Sequence, residues 1–309
     1  MKVRKLVQPA LLLALWSCDS GGTEPASHDA AAGSGGQFAH DDAGNSAGSG
    51  QAQAGESGAS TQSDAGEADA TPDGASTDAG PMLDCGGNVT LSTTEDVALV
   101  ADCTEIAGQL SIASGSYLSE LELPKLKRVD QGIAILQTRL TRLSLPKLET
   151  VGMLFSISSN RTLTQLELPV LREVDGVFDL SVNQVLTELS APELEKVGGG
   201  VECWQDTELA KFELPKLVSV GSNFEVVATD ALERLDLPAL SEVGSTFNIS
   251  FDKALTSVNA PKLVSVGSVF QIVSNPVLPM CQAEKLNMQL VAFDGLLQIS
   301  DNLDSCPLH

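Results

Sequence analysis

Seven prolines, at positions 124, 146, 169, 192, 215, 238 and 261, follow one another at an interval of 22 residues once and 23 residues five times. A period held that closely constrains the chain more than any other feature, because every repeat must present the same surface to the next. Each proline lies in a Leu-x-Leu-Pro-x-Leu-x-x-Val frame or an apolar variant of it, as in Leu166-Glu167-Leu168-Pro169-Val170-Leu171-Arg172-Glu173-Val174. A second apolar pair follows nine and eleven residues after the proline: Ile133/Ile135, Phe155/Ile157, Phe178/Leu180, Val201/Cys203, Phe224/Val226, Phe247/Ile249 and Phe270/Ile272. Alternation with a period of two means short strands with one face inward. Gly or Asp directly after the Val marks the corner between strands.

A unit of 23 residues with two strands and their corners cannot bury a core alone, but stacked units share a continuous one. Leu110/Ile112 and Leu297/Ile299 add a coil at each end, and Met280 to Leu290 reads as a capping helix. The pattern therefore predicts an all-β, parallel β-solenoid over 85–309, with about nine coils of ~23 residues. At a strand spacing of roughly 4.8 Å it would be on the order of 40 Å long. Fourteen residues after the proline stand Asn160, Asn183 and Asn275, with Asp206 and Asp252 in other coils. Short polar side chains at a corner are expected to satisfy backbone groups of neighbouring coils.

The frame Leu-x-Leu-Pro-x-Leu-x-x-Val-Gly-x-x-Phe-x-Ile-x-x-Asn-x-x-Leu resembles the receptor L-domain repeat, a right-handed solenoid of leucine-rich-repeat type. The resemblance covers 85–309, including an opening Cys103-Thr104-Glu105-Ile106-Ala107-Gly108 and a closing Asn275-Pro276-Val277-Leu278-Pro279-Met280-Cys281. It implies a fold found in hormone-receptor ectodomains and in bacterial surface lipoproteins. It implies no ligand, and the chain has none of the cysteine-rich or kinase parts of those receptors.

The first 84 residues have a different character. Lys2, Arg4 and Lys5 precede an apolar run from Leu6 to Trp16, too short to span a bilayer, as in a signal peptide. Leu15-Trp16-Ser17-Cys18 resembles the lipobox of bacterial lipoproteins, although Trp16 stands where a small residue is usual. The resemblance implies cleavage before Cys18, lipidation of its thiol and anchoring to a membrane. Residues 19–84 hold no Lys or Arg, twelve Asp or Glu, and otherwise mostly Ala, Gly and Ser. Such a segment cannot offset its ordering entropy and is expected to be a disordered acidic tether.

Of the net charge of −23, the leader contributes +3 and the tether −12, leaving −14 for the folded part. An acidic domain on an acidic tether repels phosphates, which excludes nucleic acid as a natural partner. Cys85 and Cys103 flank the first coil and Cys281 and Cys306 the last, positions suited to disulfides that hold the open ends of an exported solenoid. Each bridge would stabilise by roughly 3 kcal/mol. Cys203 replaces an inward Ile, Leu or Val and reads as a buried, inert thiol.

The chemistry on offer is sparse. The three histidines stand at 28, 40 and 309, outside the repeats, so no catalytic residue, metal site or cofactor is assigned. Between the inward pairs lies an outward column, Ala134, Ser156, Asp179, Glu202, Glu225, Asn248 and Gln271. Asp179, Glu202 and Glu225 would stack as like charges beside outward Trp204, a candidate face for a cation such as Ca²⁺ or a basic or sugar ligand. On the Leu-Pro face, by contrast, Glu122, Glu167 and Glu213 have Lys125, Lys147 and Lys216 close in the pattern. The expected function is an exported envelope lipoprotein, at the outer membrane or cell surface, that recognises a protein or carbohydrate without catalysis. A structural envelope protein is the alternative, and a carboxylate-based polysaccharide-acting enzyme a remote third.

Overall fold

In the computed structural model, residues 85–291, 293–304 and 306 are described. The leader, Cys18 and the tether lie outside them.

Each repeat makes one turn of three strands joined by corners, as its apolar punctuation requires. In one representative coil the strands are Gln165–Glu167 on the Leu-Pro face, Glu173–Val174 after the proline corner, and Phe178–Ser181. Stacking these elements produces a ten-stranded broad sheet, an eight-stranded sheet of two-residue strands, and a third face divided into sheets of three and four strands. All pairings are parallel, and Phe178 pairs with Phe155 and Val201, one coil away on either side. Ten broad-sheet strands enclose nine turns of β-solenoid.

All seven inward pairs expected from the sequence are buried, and the leucines of the proline frame join them in one core that runs the length of the stack. Burying a Leu, Val or Phe side chain stabilises by about 1.5–3 kcal/mol, so a repeat contributing several such residues favours docking on its neighbour.

The corners explain the glycines. A Cβ added to Gly221 would lie 2.0 Å from the Gly198 carbonyl oxygen, and one on Gly244 would lie 2.1 Å from that of Gly221. The coils approach so closely there because backbone bonds tie corner to corner, as from Gly221 N to Val197 O at 2.9 Å.

A second device lies thirteen residues after each proline. Gln137, Ser159, Val182, Gln205, Ala228, Phe251 and Ser274 all hold φ between 54° and 63°, and Asp301 repeats this in the last coil. Left-handed backbone costs an L-residue about 1–2 kcal/mol, most for a β-branched one such as Val182. The reversal ends the broad strand sharply and directs the following residue inward.

Different devices close the two ends. Helix α1 (Thr94–Val100) has a capping box between Thr93 and Asp96, buries Val100, and lies beside the Cys85–Cys103 disulfide. Helix α2 (Met280–Met288) replaces the next strand on the Leu-Pro face. Its Gln282 accepts from Val258 N at 3.2 Å and donates to Thr256 O at 3.0 Å, and Gln289 donates to Ala260 O and Leu263 O. These amides satisfy an edge that would otherwise present open backbone groups. The Cys281–Cys306 disulfide ties the helix to the segment beyond the last strand.

Gly221→Ala is expected to destabilise the full chain by about 1–3 kcal/mol through overpacking against a backbone oxygen that cannot retreat. Gly87, where an added methyl would meet no atom within 4 Å, should accept alanine without effect, and urea unfolding of the two variants measures the contrast.

Candidate functional site

The broad sheet carries the outward column through strict alternation. In Phe178–Ser181, Val201–Trp204 and Phe224–Val227 the first and third residues are buried, which turns the second and fourth outward. Register then aligns Asp179 with Glu202, Glu202 with Glu225, and Trp204 with Val227. The carboxylates expected to share a column do so. Trp204 is 45% exposed beside them.

Each carboxyl has its own surroundings. Asp179 accepts from the Ser156 hydroxyl at 2.6 Å and the Ser181 hydroxyl at 2.5 Å. Glu202 is half-buried, which raises its pKa, and the negative charge of Asp179 raises it further. Glu225 is raised by burial and by Glu202, opposed by a hydrogen bond from the Trp204 side chain. The indole N–H is the only donor Trp possesses. Trp204 is thereby coupled to the charge state of the column.

Elsewhere several surface charges are paired. Lys196 reaches Glu173, Lys211 reaches Glu188 and Lys216 reaches Glu193, each at 2.6 Å and each one coil apart. Coil stacking, not proximity along the sequence, selects these partners, and this corrects the pairing expected from the pattern. Lys125 turns to Asp102, Glu167 takes Arg142, and Glu213 takes Lys211. Among the described residues, no ion pair involves Asp179, Glu202 or Glu225.

Comparison with known proteins adds nothing to this face. No family model, curated protein or solved structure matches the chain. Its chemistry has to be read from its own residues.

The Ca²⁺ option is left without a built site. Among the described residues no three His, Cys, Asp or Glu side chains are grouped to hold a metal ion. The row of carboxyls runs beside an exposed indole, whose face attracts cations.

Beneath the face, Cys203 is free and buried. Its thiol donates to Asp206 Oδ2 at 3.3 Å, and burial pushes its pKa well up, as befits an inert thiol.

The corner residues fourteen after the proline form a second ladder, wholly internal. Asn160, Asn183, Asp206, Asp252 and Asn275 are all fully buried. Each side-chain Oδ1 accepts a backbone N–H from the preceding coil, such as Asn160 N to Asn183 Oδ1 at 3.1 Å and Asn183 N to Asp206 Oδ1 at 2.6 Å. Thr138, Thr229 and Asn302 complete the ladder, beyond the Asn and Asp residues expected there. The signal that identifies the two threonines is their position, fourteen residues after Pro124 and Pro215 and directly after a left-handed residue.

Because the Trp204 side chain stands beside Glu225, its fluorescence should titrate with the column. The expected midpoint lies above the ordinary glutamate value of 4.5, and Glu225→Gln should abolish that transition while leaving emission from Trp204 intact. A fluorescence titration of the full chain checks both outcomes.

Proposed function

We propose that this chain is an exported bacterial lipoprotein, anchored through Cys18, that presents its solenoid as a non-catalytic recognition or adhesion module. The observation that carries the recognition reading is the acidic column. Asp179, Glu202 and Glu225 stand in register on the broad sheet with no ionic partner among the described residues, next to a half-exposed Trp204. Unpaired like charges in register are unfavourable for folding, so a ligand that neutralises them gains affinity by relieving that repulsion.

The partner is accordingly a basic protein segment or an amino-sugar polymer. Cationic groups spaced along an extended chain would answer the carboxyls, and an aliphatic stem or sugar ring would lie on the indole. Supporting the address are the basic residues Lys2, Arg4 and Lys5, the short apolar run and the lipobox-like Leu15-Trp16-Ser17-Cys18. More than one acyl chain anchors a protein stably, and an acidic linker of 66 residues, 19–84, would carry the module away from the membrane.

Two experiments test the reading. Oligolysine and chitosan oligomers should raise the melting temperature and alter Trp204 emission, weaken with added salt, and lose most of their effect on Glu202→Gln/Glu225→Gln. No response in the parent chain, or an equal response in the double variant, would remove the recognition face and leave a structural envelope role. Separately, Cys18→Ser should move the protein from the membrane to the soluble fraction and end incorporation of labelled fatty acid. Continued lipid labelling would overturn the anchor.

A further inference from the structure

The internal ladder contains two residues that do not match their neighbours. Where the ladder residue is asparagine, its amide does two jobs. Oδ1 accepts from the preceding coil, and Nδ2 donates to the backbone carbonyl of the second inward residue of that coil. The donor bonds run from Asn160 to Ile135 O at 2.9 Å, Asn183 to Ile157 O at 2.8 Å, Asn275 to Ile249 O at 3.1 Å and Asn302 to Ile272 O at 2.8 Å.

Asp206 and Asp252 perform the first job in the same way. Asp206 Oδ1 accepts from Asn183 N at 2.6 Å, and Asp252 Oδ1 accepts from Thr229 N at 2.8 Å and Thr229 Oγ1 at 2.6 Å. Their Oδ2 atoms therefore occupy the place of the amide nitrogen, and by register the equivalent carbonyls belong to Leu180 and Val226. A carboxylate oxygen offers no proton to such an acceptor. Asp252 Oδ2 is buried without a hydrogen-bond partner, and Asp206 Oδ2 has only the Cys203 thiol.

We infer that Asp206 and Asp252 are neutral carboxylic acids in the folded chain, each donating its proton to the carbonyl that asparagine would serve, so that the solenoid tightens on acidification.

Their surroundings favour this state. Burial is the largest influence on both groups and pushes each up to about 7. The nearest charges act the same way, Asp179 on Asp206 and Asp230 on Asp252, with Asp230 itself held by Lys253 at the surface. No basic side chain offsets the burial of either carboxyl. The Cys203 thiol stays neutral throughout, because its own pKa is pushed well up. In the unfolded chain both carboxyls return to the ordinary value of 3.8. The native state thus binds more protons between the two values. Its extra stability is full below the unfolded value and is lost as pH rises through about 7.

The test is unfolding of the full chain between about pH 6 and about pH 8. Each group should lower the folding equilibrium constant about tenfold over that window, or about a hundredfold together. Asp206→Asn and Asp252→Asn should each remove about half of this dependence on a logarithmic scale. The double variant should be nearly flat and more stable than the parent at about pH 8. A double variant as pH-dependent as the parent, or less stable at the alkaline end, would overturn the inference. NMR of the unmodified chain, labelled at the aspartate carboxyl carbons, gives an independent reading. Two carboxyls titrating near 7 are expected, and two carboxyls ionised throughout the window would overturn it as surely.

Discussion

Everything in this solenoid depends on a register of one coil. Backbone bonds such as Gly244 N to Val220 O at 2.8 Å and Gly267 N to Val243 O at 3.0 Å hold each corner to the one before. Each side chain consequently sits beside its counterparts one coil away, about 4.8 Å apart. A column succeeds only if its residue type tolerates neighbours of the same type. Aromatic rings do, and Phe155 stacks on Phe178 at 5.0 Å while Phe224, Phe247 and Phe270 stack at intervals of 5.5 Å. Asparagine does, because its amide both gives and accepts. Carboxylates do not, unless cations or protons intervene.

That rule sorts the acidic residues into three groups. At several surface positions a lysine in the next coil neutralises a glutamate or aspartate, as Lys196 does Glu173. Exposed pairs of this kind contribute little stability each, but they remove what would otherwise be a repulsive row. Within the core ladder no lysine could be accommodated, so protonation of Asp206 and Asp252 is the remaining route to neutrality. Along the broad sheet neither answer is complete. Serine hydroxyls hold Asp179, while Glu202 and Glu225 are left with each other and an indole.

How far the sequence reveals this follows from the same physics. The proline interval and the inward pairs are legible because burial forces apolar identity at fixed positions, and all seven pairs are buried as the spacing implies. The Phe column can even be followed through its interruption. Val201 and Cys203 are small, and Phe212 replaces the usual Leu in the next coil and meets Phe224 edge-on at 6.4 Å. The left-handed column is not legible. Gln137, Val182 and Phe251 carry no glycine-like signature, since the neighbouring coils rather than the residues impose that backbone. Ion partners are illegible for a related reason. Pattern proximity suggests Lys216 for Glu213, whereas stacking gives Lys216 to Glu193, and Glu213 takes Lys211 from its own strand. The column of Asp179, Glu202 and Glu225 is legible as geometry, but its ligand is not, because an outward position is free of the packing rules that make inward ones predictable.

The amides of α2 engage only Thr256, Val258, Ala260 and Leu263, and α1 with its disulfide closes only the first turn. Between these closures the coils repeat one register. Whole repeats can therefore be gained or lost by unequal recombination within the array while both lids keep the same neighbours. Length becomes an inheritable dial, set in steps of one coil. Turning it lengthens or shortens the broad face and the row of carboxyls it carries, without any new fold having to be invented.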